Sequence, residues 1–277
     1  MRSTRTLRFL VVLVIFAVIF SAAACTTGGN NSPSPSPEAT PTEFPIPTDL
    51  DPEIRKYFLT PSVTPSDTDV VEFQISCKGY SFEDIANYFD EVVLRTEYGD
   101  NDNRIHKWTS PIIMYVDGRP TNKDRQVINT IMQRMNSVRG FPGIQETLME
   151  SNANLVIHFA DDSTYDKILP SNIDDETDGF ASCNWTNSVI TNADIGIRTS
   201  ISQNERNSVI WEEIVQCTGL QNDSYLYPDS LFYQGYNEVQ EPTVLDWLLF
   251  ELLYHPDMKP NLTREECAIV LIAVLKE

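Results

Sequence analysis

The stretch Val209 to Ser224 constrains the fold more than any other part of the chain. Val209, Ile210, Ile214, Cys217 and Leu220 recur at three- and four-residue spacing, which predicts a helix with an apolar stripe. Gly219 stands where a left-handed residue closes many helices. Glu212 and Gln216 are four apart and lie one above the other on one face, with Glu213 beside them.

That spacing is the skeleton of the zincin helix H-E-x-x-H, in which two histidines hold zinc and the glutamate acts as general base. Here Glu212 and Gln216 stand at the histidine positions and Glu213 at the glutamate position. In the extended form of the motif, the glycine falls on Gly219 and the third histidine on Asn222. An amide is a poor zinc ligand beside imidazole or thiolate. One carboxylate does not replace two imidazoles. The pattern is that of a metallopeptidase frame without its metal.

The same stretch resembles a bacterial family, the domain of unknown function numbered twenty-nine twenty-seven. Its run E-E-x-x-Q-x-x-G-L-x-N-D-S is matched by Glu212, Glu213, Gln216, Gly219, Leu220, Asn222, Asp223 and Ser224. The resemblance continues through Asp229-Ser-Leu-Phe232 and Asp246 to Leu-Tyr-His-Pro256. Upstream it takes in Glu97-Tyr-Gly99, Arg104, Lys107-Trp-Thr109 and Pro111. The family often carries a histidine just before the paired glutamates, where this chain has Trp211. The resemblance implies no activity.

Domain organisation follows from the rest of the chain. Arg2, Arg5 and Arg8 precede an apolar run from Phe9 to Phe20, and small residues lead to Cys25. This reads as a lipoprotein signal peptide over residues 1–24, with Cys25 as the lipidated residue. The other reading is an uncleaved anchor at the short limit of a span. Residues 25–60 form a Ser-, Pro- and Thr-rich linker that has no apolar face to bury. Residues 61–277 are the expected extracytoplasmic domain, large enough to bury its own core. The localisation expected is the outer face of the bacterial cell membrane, lipid-anchored. The net charge of -20 argues against nucleic acid as a partner.

The expected fold class is α+β, with α/β-like features and a zincin-like build. It has a mixed, mostly parallel sheet packed on helices, a central motif helix and C-terminal helices. Strands are expected at 70–77, 107–116, 155–159 and 193–198. Helices are expected from Ser81 to Thr96, Thr121 to Val138, Val244 to Tyr254 and Arg264 to Leu275, with Ser81 and Thr121 as caps. Asp161 to Ser182 reads as a polar insertion. Cys77, Cys183, Cys217 and Cys267 lie in a compartment that permits disulfides, and four cysteines allow three pairings. The preferred pairing is Cys183 with Cys217 and Cys77 with Cys267.

The chemistry left to such a chain is narrow. Its three histidines, His106, His158 and His255, are never one turn apart. No serine-hydrolase elbow, P-loop or dinucleotide fingerprint is present. Glu212 and Glu213 read either as a helix-start pair favoured by the dipole or as a solvated face. Alternatively they form the floor of a groove with Gln216, Asn222 and Asp223. Asn222, Asp223 and Ser224 are also expected to satisfy the last carbonyls of the helix. No cofactor is expected, although such oxygen ligands would suit calcium better than zinc. The expectation is a membrane-tethered, catalytically inactive domain that binds a protein, peptide or cell-wall component. The alternative is a peptidase-like hydrolase using Glu213 with an atypical metal.

Overall fold

Six helices begin the same way. Ser81, Thr121, Asp161, Ser202, Thr243 and Thr263 each accept a hydrogen bond from the backbone N–H three residues on. Each side chain thereby satisfies an amide that has no partner inside the helix. Asp124, Glu205, Asp246 and Glu266 return the bond to their cap residues and complete four capping boxes.

These helices belong to a computed structural model that describes residues 74–98, 101–173, 177–236 and 239–276. The chain divides into Met1–Thr40 and Pro41–Glu277, and every described residue falls in the second unit. The expected signal peptide, Cys25 and the linker lie outside the described residues, as do residues 70–73 of the first expected strand. The order is β1 (Ile75–Ser76), α1 (Phe82–Val93), β2 (Ile112–Gly118), α2 (Asn122–Asn136), β3 (Ile144–Glu146) and β4 (Leu155–Ala160). Then come α3 (Asp162–Ile168), β5 (Gly179–Thr186), β6 (Val189–Arg198), α4 (Gln203–Gln216), α5 (Val244–Leu253), α6 (Arg264–Val274) and β7 (Leu275–Lys276).

The fold is α+β, with a mixed sheet in the order β3-β2-β4-β6-β5. Pairs β2/β3, β2/β4 and β4/β6 are parallel, and β5 runs antiparallel to β6 at the edge. Parallel neighbours need crossovers, and α2 and α3 lie in them. The antiparallel pair needs only a tight turn, which Asn187 and Ser188 make with φ of 51° and 62°. Alternate residues of the central strands face one core: Ile112, Met114 and Val116, then Leu155, Ile157 and Phe159, then Ala193, Ile195 and Ile197. Val127, Ile128, Ile131 and Met135 of α2 join the same core, as do Ile210 and Ile214 of α4. A small second cluster of Ala160, Tyr165 and Phe180 lies apart from it. A two-residue parallel pairing of β1 with β7 joins the two ends of the described domain.

Three expectations need correction. The strand expected from Lys107 begins at Ile112. Lys107 is buried, and its ammonium donates to the Leu253 and Met258 carbonyls at 2.8 and 2.6 Å. The expected polar insertion holds α3 and the first residues of β5. Asp162 and Asp166 lie exposed on a short helix held down by buried Tyr165. The expected disulfides are not formed. Cys183 donates its thiol to the Cys217 carbonyl at 3.5 Å, and the Cys217 thiol turns back to the Ile214 carbonyl at 3.1 Å. Cys267 is a buried free thiol, so no bond joins it to Cys77.

Candidate functional site: an acidic pocket beside the motif helix

Helix α4 is fixed at both ends by residues distant in sequence. At its start, Arg206 is buried and donates from Nε to Asp124 Oδ1 at 3.0 Å. Its other nitrogens donate to the Thr199 and Ile201 carbonyls at 3.1 and 3.2 Å and to Gln203 Oε1 at 2.8 Å. Burial alone would raise the Asp124 carboxyl. Hydrogen bonds from Gln203, the Thr121 amide and Arg206 outweigh burial and hold it below the usual range.

At the other end, the last helical carbonyls accept from the N–H groups of Cys217, Thr218 and Gly219, not from Asn222, Asp223 or Ser224 as expected. The Cys217 carbonyl accepts from Trp108 Nε1 at 2.9 Å, and the Thr218 carbonyl accepts from the Tyr254 hydroxyl at 2.7 Å. Gly219 then turns the chain with φ of 118°, and a Cβ there would stand 2.2 Å from the His106 carbonyl oxygen. Asn222 is drawn elsewhere. Its backbone N–H donates to the Val92 carbonyl at 3.2 Å. The motif residues Trp108, Gly219 and Tyr254 therefore form one device for ending α4 against the core.

Glu212 and Glu213 come at the end of a helix that starts at Gln203, so the dipole reading is reversed. The helix C-terminus carries partial negative charge and opposes a carboxylate. Something else must account for two of them there.

Both line a pocket of about 530 Å³ between α4, the β5 edge and the loop after α4. Gly179 opens β5 and makes room for Glu213. A Cβ on Gly179 would meet Val209 Cγ1 at 2.3 Å and Glu213 Oε1 at 2.6 Å. The far wall is the 224–236 loop. It is pinned where Ser230 Oγ and the Leu231 N–H donate to buried Asp246 at 2.8 and 3.0 Å. Tyr88 donates to the same carboxyl at 3.1 Å. Glu97 reaches the pocket because its backbone N–H donates to the Gln221 carbonyl at 3.0 Å.

Six carboxylates line this pocket, from Glu97, Asp178, Glu205, Glu212, Glu213 and Asp223, and no Lys, Arg or His is among its lining residues. Glu205 has its cap bond, and Asp178 stands 3.9 Å from Arg198. Asp223 accepts from Gln216 Nε2 at 2.9 Å. Glu213 is 7 % exposed, and its Oε2 has no hydrogen-bond partner. Burial, then the neighbouring charges of Glu212, Asp223 and Glu97, push the Glu213 carboxyl well above the carboxylate range. Burial, with Asp223 and Glu97, does the same for Glu212. Asp223 is pushed up to about 7 by burial and by Glu97, against the opposing hydrogen bond from Gln216.

Of the groove residues read from the sequence, Glu212, Glu213, Gln216 and Asp223 come together and Asn222 does not. Glu97 was visible only as part of a family motif. Asp178 and Glu205 had no sequence signal, because β5 and the true start of α4 were not legible. The histidines stay apart. His106 bonds Asp102 at 2.9 Å against the Trp185 ring, and His158 lies 3.3 Å from Asp117. His255 is buried in a turn, where its Nδ1 accepts from the Asp257 N–H at 3.1 Å. Among the described residues, no group of three or more His, Cys, Asp and Glu is placed to hold a metal ion. Nor is any helix among them long and apolar enough to cross a membrane.

Fold and site together define an α+β domain whose motif helix presents the buried Glu213 and the half-buried Glu212 to an acidic pocket. The chain belongs to the family described as protein of unknown function DUF2927, whose profile matches residues 82–273. No curated protein matches the chain significantly.

Proposed function

We propose that this protein is a lipid-anchored, extracytoplasmic binding domain of zincin-like build. Its acidic cleft takes a protein, peptide or cell-wall component without metal-dependent catalysis. The supporting observation is Glu213. A buried carboxyl oxygen with no partner, at the unfavourable end of a helix, costs stability. The fold accommodates it with a glycine at position 179. Such an arrangement is understandable where a ligand completes the bonding. The zincin-like reading is supported by the mostly parallel sheet, its antiparallel edge strand and the motif helix bordering the same cleft. The anchored reading is supported by the apolar run before Cys25 and the Pro-rich segment after it.

Two measurements test this reading. Cys25→Ala should leave the precursor unprocessed and move the protein out of the lipid-modified membrane fraction. Unchanged processing and fractionation would remove the anchor from the proposal. The full-length protein in detergent should retain members of a mixed peptide and cell-wall-fragment library and release them uncleaved. A library with no retained member sinks the binding role. Cleaved products lost in Glu213→Gln would favour the hydrolase instead. That second reading has one observation behind it: an Asp223 carboxyl near neutral pH beside Glu213 is suited to proton transfer.

A further inference from the structure

We infer that the pocket binds a primary ammonium group carried on a short aliphatic chain. The inference rests on the binding reading above and names the ligand chemistry. Three features of the molecule support it.

The first is charge. The pocket presents six carboxylates and no basic side chain among its lining residues. Among the described residues, Asp178 of the six stands by Arg198, whereas Glu97, Glu212, Glu213 and Asp223 have no ion-pair partner. An anionic ligand would find no basic side chain in the lining to pair with. A cationic ligand would pair with these carboxyls and favour their ionised form.

The second is Glu213 itself. Its Oε2 is the unsatisfied atom, and its Oε1 packs against Gly179. That unsatisfied oxygen is buried, which suits a compact donor group. A guanidinium matches a carboxylate as a broad planar fork through two parallel bonds. An ammonium is a compact charge with three donors that can be shared among separate acceptors. Glu213, Glu212 and Asp223 supply such acceptors from one helix and the loop that follows it.

The third is size and wall chemistry. About 530 Å³ is the scale of an organic ligand rather than a bare ion. Phe180, Trp185, Tyr233 and Tyr236 also line the pocket. Aromatic faces accommodate an aliphatic stem and attract the cation at its end.

The test uses the full-length protein in detergent at pH 7.5 and isothermal titration with five probes. These are 1,5-diaminopentane, lysine blocked at both backbone ends, its side-chain-acetylated form, blocked glutamate and calcium chloride. The two amines should bind and the acetylated and acidic probes should not. Binding of the diamine alone points to a free amine, and binding of blocked lysine alone points to a peptide side chain; either supports the inference. Glu213→Gln and Glu97→Gln should each weaken amine binding by about tenfold or more, with melting temperature checked first. Amine affinity should also fall with added salt. Acetylated lysine binding as well as lysine would overturn the ammonium while leaving the binding cleft intact. Calcium binding without amine binding, or amine affinity unchanged in both variants, would overturn it too. If no probe binds and the library is also empty, the binding reading falls with it.

Discussion

Glu213 and Gly179 make one unit at the residue scale, and two substitutions separate their roles. Glu213→Gln keeps the shape and removes a buried titratable group whose Oε2 has no partner, so stability should stay within about 1 kcal/mol of the original protein. A loss of several kcal/mol on thermal melting would mean that Glu213 has a structural partner. Gly179→Ala should cost about 1–3 kcal/mol, because the new methyl overlaps Val209 and Glu213. Combining it with Glu213→Ala should recover part of that loss, since the two side chains share one space. The carboxyl pair was legible in the sequence from its spacing with Gln216. Its burial was not, because burial depends on a glycine in an edge strand more than thirty residues away.

Tertiary anchors, more than local signals, position the elements around the pocket. Helix starts were legible wherever a cap residue preceded an apolar stripe, as at Ser81 and Thr121. The start of α4 was missed because its first turns are polar. Arg206 and Asn207 are buried there and look like surface residues in a sequence. Strand β5 was missed because it is an edge strand with only Phe180 buried, so it shows no alternation. Its turn uses Asn187 and Ser188 without a glycine. The last carbonyls of α4 are closed by the next backbone N–H groups, and the Cys217 and Thr218 carbonyls just beyond them take donors from far along the chain, Trp108 and Tyr254. The Asp124–Arg206 contact joins the starts of α2 and α4 in the same way. Arg206→Met should cost about 3–5 kcal/mol, because it leaves Asp124 buried beside fewer donors and frees two backbone carbonyls. Urea unfolding measures this, and a loss below about 1 kcal/mol would show that the contact does not hold the helix in place.

The acidic pocket should give the whole molecule a characteristic pH dependence. Asp223 titrates at about 7 in the folded protein, against 3.8 as the reference value. A carboxyl raised by folding binds more protons folded than unfolded between those two values. Its contribution is fully present below about pH 3.8, declines as pH rises and is lost above about 7. Glu212 and Glu213 are shifted in the same direction and add to the decline. Asp124 is shifted the opposite way, and its effect falls below the ordinary carboxylate range. Lys107 is lowered to about 7 by burial and by Lys259, so it favours the folded state only as pH rises above 7. The window from pH 5 to 7 therefore isolates the pocket from Asp124 and largely from Lys107. Melting temperature should fall across it. Asp223→Asn keeps an acceptor for Gln216 and removes the charge, so its melting curve should fall less steeply. Glu213→Gln should flatten the curve as well. Saturation with a bound amine should do the same in the unmodified protein, because an ammonium favours the ionised carboxyls and raises stability most at pH 7. If the unmodified protein gains stability from pH 5 to 7, or if both variants keep its full slope, the carboxyls are not held out of their ordinary range and the pocket is more open to water than its burial implies.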